Sequence, residues 1–230
     1  MISFSRKMMG LGSRMAALSN PLASAAEYGA ITFPPGTETS PAATINPTTE
    51  EFNGSIGLPI PSSEIATKDD QGKDLPLGQT GEICVRGPHV MRGYWNRPDE
   101  TAKVMLPGGW LRTGDVGYMD ERGYIFLQDR KKDLILVSGF NVYPNEVEAV
   151  AAGHPGILEC AAIAQADEHS GEVVALYVVP KDPNLTERDV IEHCRKSLAG
   201  YKVPKHVYFR KELPKSNVGK ILRKELREGA

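Results

Sequence analysis

The residue types best suited to chemistry crowd into residues 129–148, DRKKDLILVSGFNVYPNEVE. Three cations, Arg130, Lys131 and Lys132, run into an apolar segment from Leu134 to Val137. A Ser138–Gly139 turn follows, then a connection bearing Phe140 and Pro144, and Glu146 and Glu148 stand where a helix should start. That order sets ammonium groups and backbone N–H groups, both of which attract anions, beside a joint able to bend. The charge run alone is equally a solvated surface loop. The whole stretch is more specific.

Three further sets of residues offer chemistry. Asp115 follows a glycine in RTGD at 112–115, where a carboxylate can accept hydrogen bonds from a ribose diol; an aspartate in a turn explains the same letters. Thr37-Glu38-Thr39 sets a hydroxyl beside a carboxylate, a pairing suited to a phosphate and its Mg²⁺, although an ordinary polar loop reads the same way. Lys215, Ser216 and Lys220 surround Gly219, as in a mobile loop that presents one lysine to a carboxylate or phosphate, or in a plain loop with solvated lysines.

Composition bounds what can carry these groups. A chain of 230 residues, 40% apolar and 24% charged, is one large globular domain or two modest ones. Its net charge of −2 gives no global reason to expect nucleic acid. Residues 201–230 nevertheless hold nine Lys/Arg against three Glu, a basic end suited to a small anionic ligand. Cys84, Cys160 and Cys194 are far apart and lack metal-ligand spacing, which points to a reducing compartment and away from zinc. The five histidines form no metal motif, and no apolar run approaches the roughly 18 residues of a membrane span. Residues 1–26, with Arg6, Lys7 and Arg14 and no acid, suit a transit peptide or a disordered leader.

The elements that must position the candidates follow from periodicity and breakers. Proline and glycine exclude long helices from residues 28–63. Residues 55–124 read as short strands between turns, EICVR at 82–86 among them, giving a small barrel or distorted sheet with Asp115 at a strand end. Residues 145–152 form a short helix, and the runs 158–164 and 173–179 pair as strands. Residues 185–198 form a helix capped by Thr186 with Asp189 three residues on, burying Val190, Ile191, Cys194 and Leu198. A strand at 207–210 and a basic helix at 220–227 complete the chain.

Six ordered motifs together change what these residues mean: GSIGLP at 54–59, GYW at 93–95, GWLRTGD at 109–115, the stretch 129–148, GYKVPK at 200–205 and LPKSNVGK at 213–220. With them, residues 53–227 resemble the C-terminal part of adenylate-forming acyl-CoA synthetases, above all bacterial long-chain fatty acid–CoA ligases. The resemblance implies two half-reactions. A fatty acid attacks ATP to give an acyl-adenylate and pyrophosphate, and the thiol of CoA then displaces AMP. It implies ribose binding by Asp115 with help from Arg130, a pivot at Lys132, and pantetheine contact at Ser138 and Gly139. It implies that Lys220 meets carboxylate and phosphate during adenylation, and that Thr37 and Glu38 serve phosphate and Mg²⁺.

The departures from the family pattern carry equal weight. The family's Ser/Thr/Gly-rich phosphate loop ending in Pro-Lys-Gly does not occur in the sequence, and the family's acyl pocket lies mostly in the portion without counterpart here. Before Thr37 the family has an aromatic and a glycine; this chain has Pro34 and Pro35, with Tyr28-Gly29 further upstream. The expected fold is α/β of the α+β kind: an irregular leader (1–49), a β-rich distorted-barrel subdomain (50–128), a hinge (129–132) and a small C-terminal α+β domain (133–230). The expected function is that of a truncated long-chain fatty acid–CoA ligase, incomplete as a lone chain. The alternatives are a non-catalytic nucleotide- or CoA-binding module, an inactive remnant, or one half complemented by a separate N-terminal half. Cytoplasmic location is expected, with at most peripheral contact at the inner membrane.

Overall fold

The computed structural model describes residues 30–31, 37–40, 42–47, 51–217 and 219–228. The leader at 1–26 and the Pro34-Pro35 step lie outside them. Strands β1 (Ala30–Ile31), β2 (Thr44–Ile45) and β3 (Leu58–Pro59) make a small antiparallel sheet. Thr37–Thr39 forms a single 3-10 turn beside it.

A five-stranded sheet follows, built from β4 (Glu64–Lys68), β5 (Gly81–Arg86), β6 (Met105–Leu106), β7 (Trp110–Met119) and β8 (Ile125–Arg130). Branched residues in EICVR suit a central strand, and β5 indeed lies between β4 and β7 with Ile83, Cys84 and Val85 fully buried. Ile83 and Val85 pack with Ile125, Ile56 and Ala43 in one core. Sequence periodicity does not reveal helix α1 (Pro98–Val104), which buries no residue. Pro98 and the acids Asp99 and Glu100 start it by favouring a helix N-terminus.

After β8 a 3-10 turn, Lys131–Asp133, leads into the second sheet. Its strands are β9 (Ile135–Val137), β10 (Phe140–Val142), β11 (Ile157–Asp167), β12 (Gly171–Pro180) and β13 (His206–Phe209). Strands β11 and β12 pair from Ile157–Pro180 to Asp167–Gly171, as their apolar runs predict. Strand β13 joins β12 in parallel after the crossover helix α3 (Glu187–Arg195). Thr186 and Asp189 form the expected capping box on α3, and Cys194 is buried on its inner face. Together with α2 (Pro144–Ala152), α3 covers one side of the sheet through Val147, Ala151, Val190 and Cys194.

The opposite side is closed by the C-terminal segment. Leu213 and Leu226 pack on Ala161, Ile163, Ala175 and Tyr177. The last helix, α4 (Arg223–Glu228), starts three residues later than the basic pattern suggests. Ile221 bridges to Lys215 and the Leu222 N–H donates to the Pro214 carbonyl at 2.8 Å, so the chain turns back on itself and Lys220 lies on the returning arm, its carbonyl accepting from the Ser216 N–H at 2.8 Å. Among the described residues, no helix is long and apolar enough to cross a membrane.

Candidate functional site

Asp115 owes its position to an irregular ladder. Glu82 pairs with Val116 and Cys84 with Arg112, so Thr113, Gly114 and Asp115 stand opposite the single residue Ile83. Asp115 is therefore within β7, where the sequence suggested a strand end. Gly114 takes φ +74°, a region costly for other residues, and so lets the strand bulge. Side chains replace the missing ladder bonds. Thr113 Oγ1 donates to the Ile83 carbonyl at 2.7 Å and accepts from the Asp115 N–H at 3.1 Å. The Gly114 N–H donates to Glu82 Oε1 at 3.2 Å.

Arg130 lies directly across the β7–β8 ladder from Asp115, with Nε 3.5 Å from Oδ1. Asp115 is only 5% exposed. Burial outweighs the pull of Arg130 and Lys220 and pushes its carboxyl up to about 6. Lys220 lies close enough to feel these groups. Desolvation, then the charges of Arg130, Arg223 and Lys132, hold its ammonium below the usual lysine value. Neither Lys132 nor Lys220 has a carboxylate within ion-pair distance among the described residues. A buried acid beside two lysines left without carboxylate partners is an arrangement able to accept a polyanion that also carries hydroxyl groups.

The partners change residue by residue along the turn from 130 to 133. Arg130 faces Asp115, and Lys131 reaches back to Asp70 at 2.6 Å and Glu82 at 3.0 Å, all in the first sheet or its turns. Asp133 instead accepts from Arg227 Nη2 at 2.6 Å and lies 3.7 Å from Arg223 Nη1, both on α4. Lys132 stands between the two commitments, with its side chain exposed.

Arg223 is a residue that sequence reading missed. Its guanidinium donates from Nη2 to both Glu148 oxygens at 2.9 Å and to Asn145 Oδ1 at 2.8 Å, and its Nη1 lies 3.9 Å from Asp129. The Asn145 N–H in turn donates to Asp129 Oδ2 at 2.8 Å. The end of β8, the start of α2 and the start of α4 thus meet at one side chain, three residues from Lys220. The basic C-terminal helix and the acids Glu146 and Glu148, two residues apart, are the only signal in the sequence, because long-range pairing has no period to read.

The remaining candidates stand apart from this group. Ser138 and Gly139, at φ +51° and +85°, form the two-residue turn of the β9–β10 hairpin, the geometry of a type I′ turn. The Ser138 N–H donates to the Ser170 carbonyl at 2.8 Å, and the turn makes no hydrogen bond to Asp115, Arg130 or Lys220. Glu38 Oε1 accepts from the Tyr94 hydroxyl at 2.9 Å, and the Glu38 carbonyl accepts from the Met91 N–H at 2.7 Å. Thr37 begins the same 3-10 turn. Tyr94, from the GYW motif, is thus the second partner that sequence reading missed.

One Glu38 oxygen remains available to a hard cation, but no cluster of three or more metal-ligating side chains occurs among the described residues. A Mg²⁺ beside Glu38 must take most of its ligands from phosphate and water, a normal arrangement for that ion.

Similarities to other proteins agree with this geometry. The AMP-binding enzyme family model matches residues 36–95, and the AMP-binding enzyme C-terminal domain model matches residues 146–220. A long-chain-fatty-acid–CoA ligase of Escherichia coli O6:H1 is 56% identical over 195 residues, 84% of this chain and 35% of that protein. The chain therefore spans about a third of the length of the curated relatives it matches. ATP-bound MatB from Rhodopseudomonas palustris superposes with a TM-score of 0.78 at 37% identity, covering 84% of this chain and 39% of that one. Apo MatB from the same source, at 38% identity and the same two coverages, reaches 0.62. Matching motifs, a matching fold and these identities place the chain in the adenylate-forming AMP-binding enzyme family, of which it represents the C-terminal part.

Proposed function

We propose that this chain serves a fatty acid–CoA ligase reaction, in which a long-chain fatty acid is activated by ATP as an acyl-adenylate and then transferred to the thiol of CoA. The observation that carries the reading is the buried Asp115, paired with the half-buried Arg130, beside Lys220 and Lys132, two cations without carboxylate partners among the described residues. In this reading Asp115 accepts hydrogen bonds from the ribose diol, and Arg130 holds the Asp115 carboxylate in place. Lys220 lies between the fatty acid carboxylate and the phosphate it attacks, offsetting their repulsion as charge moves in the transition state. Thr37 donates to a phosphate oxygen, and Glu38, steered by Tyr94, takes one position on Mg²⁺.

The second half-reaction needs the same site to admit a thiol, so Lys220 must withdraw. Lys132 is the proposed pivot, and Ser138–Gly139 the proposed pantetheine contact that rotation brings in. The chain is assigned accordingly to a leader up to 49, a β-rich unit over 50–128, a hinge over 129–132 and a C-terminal unit from 133. The closer match to the ATP-bound than to the apo form of MatB supports an adenylation-like arrangement of these units.

The sequence holds no Ser/Thr/Gly-rich phosphate loop, so these 230 residues bind nucleotide without turning it over by themselves. Fatty-acid-dependent ATP–pyrophosphate exchange tests both statements. The expected result is no exchange by the chain alone, exchange on adding the N-terminal portion of a homologous ligase, and at least a 100-fold loss with Lys220→Ala, typical for removing transition-state charge stabilisation. Exchange unaffected by Lys220→Ala would refute the assignment of Lys220. A melting temperature indifferent to AMP would refute nucleotide binding by the lone chain.

A further inference from the structure

Glu82 is a carboxylate near the start of strand β5, 6% exposed beside Ile83, Cys84 and Val85, each fully buried. A charge in such a place is costly unless every lone pair has a use. Its Oε1 accepts from the Gly114 N–H at 3.2 Å, inside the bulge that projects Asp115. Its Oε2 accepts from Arg112 Nη1 at 2.7 Å and from Lys131 Nζ at 3.0 Å. Asp70 completes the group, taking Lys131 Nζ on its carboxylate at 2.6 Å and Arg112 Nη2 on its carbonyl at 2.9 Å.

We propose that Glu82 is a positioning residue whose single carboxylate fixes both the Asp115 projection and the stationary end of the 131–133 turn. The bulge removes the ladder partner that β5 would give Gly114, and the Glu82 side chain supplies it. The same group draws Lys131 onto the first sheet, so any rotation of the second sheet must be taken up from Lys132 onward. One buried acid thus sets the distance between the acid that meets the ligand and the point about which the molecule bends. The ligand half of this role rests on the function proposed above. The pivot at Lys132 rests on it too, whereas the bonds that tie the bulge and Lys131 to Glu82 do not.

Amide hydrogen exchange on the whole 230-residue chain tests it without nucleotide. The reporters are the Gly114 N–H and the Leu134 N–H, which donates to the Lys131 carbonyl at 3.4 Å across the turn. Glu82→Gln places an amide against two cations, and Lys131→Ala removes one of them. Both variants should speed exchange at Leu134 about ten-fold or more. Lys131→Ala should leave Gly114 protected, and Glu82→Ala should release Gly114 and Leu134 together.

Amides of the β11–β12 ladder should not change. Leu134 exchange unmoved in Glu82→Gln would overturn the proposal. So would a uniform rise across β5 and β7 in Lys131→Ala, the sign of a purely structural role. Should Glu82→Ala not fold, the other two variants decide. In parallel, Glu82→Ala should weaken AMP binding about ten-fold; a wild-type chain that does not bind AMP counts against the proposed function, while the exchange data still judge Glu82.

Discussion

Asp115 shows how an ionisable residue can be tuned against stability. Burial raises its carboxyl from 3.8 to about 6, so the folded chain holds this proton more tightly than the unfolded chain. A folded-state value above the unfolded one means that stability falls as pH rises through that window, from roughly 4 to 6. Asp115→Asn removes the penalty. It should raise the stability of the chain above pH 6 by at most about 3 kcal/mol, with the gain vanishing below pH 4, read from thermal melts across pH. In the same variant the AMP-dependent rise in melting temperature should disappear. If the proposed ribose contact holds, Asp115 destabilises its own fold in exchange for a ligand contact, as a site preserved for chemistry does.

At the scale of elements, α4 depends on Arg223 more than on its own six residues, too few to hold a helix in isolation. The Arg223 side chain is 17% exposed and bonded in a fork to Glu148, itself 19% exposed. Arg223→Ala leaves Glu148 and the buried Asp129 without their cation. It should cost about 3–5 kcal/mol in urea denaturation of the C-terminal unit. Arg223→Lys should recover less than half of that, because an ammonium cannot reproduce the fork. Because α4 follows the hairpin that presents Lys220, both variants should also lower exchange activity in the complemented ligase.

Elements differ in how openly the sequence announces them. The capping box at Thr186, the apolar runs of β11 and β12 and a helix start at Asn145, one residue after the observed start at Pro144, were all legible, because each is written in neighbouring residues. Helix α1 was not, since it buries nothing and so has no apolar stripe. The late start of α4 was not either: basic residues suit a helix and a hairpin alike, and only the Lys215–Ile221 bridge decides between them. Asp115 and Arg130 were legible as candidates from motifs. Their register across β7 and β8 was not, because a bulge is a relation between two strands. Glu82 gave one signal, an acid inside an apolar strand, and that signal alone names no partner.

Among the described residues the molecule has three separate sets of core residues, one around Ile83, Val85 and Ile125 and one on each face of the second sheet. The three cysteines divide between them: Cys84 in the first sheet, Cys160 and Cys194 beneath α2 and α3. All three are buried, and burial pushes the thiols up, Cys84 and Cys160 to about 12 and Cys194 to about 11. None should react with a thiol reagent at pH 8 while folded. In rising urea, Cys160 and Cys194 should become reactive together, and Cys84 at a different concentration, since each core opens as its own unit. Mass spectrometry of the alkylated peptides measures this. Simultaneous labelling of all three would mean that the bonds across the 129–133 segment merge the two units into one cooperative structure.

Strand β7 exceeds its partner β5 by two residues between the pairs Glu82–Val116 and Cys84–Arg112. Point substitutions there change a side chain; a deletion of two residues would do something else. It would let the ladder close without interruption, yielding a tidier sheet with no use for Glu82 and no projected acid. At this place the information lies in the count of residues as much as in their kinds. A two-residue deletion that surface loops elsewhere in the chain would absorb would, between Arg112 and Val116, erase the site while leaving the fold better paired than before.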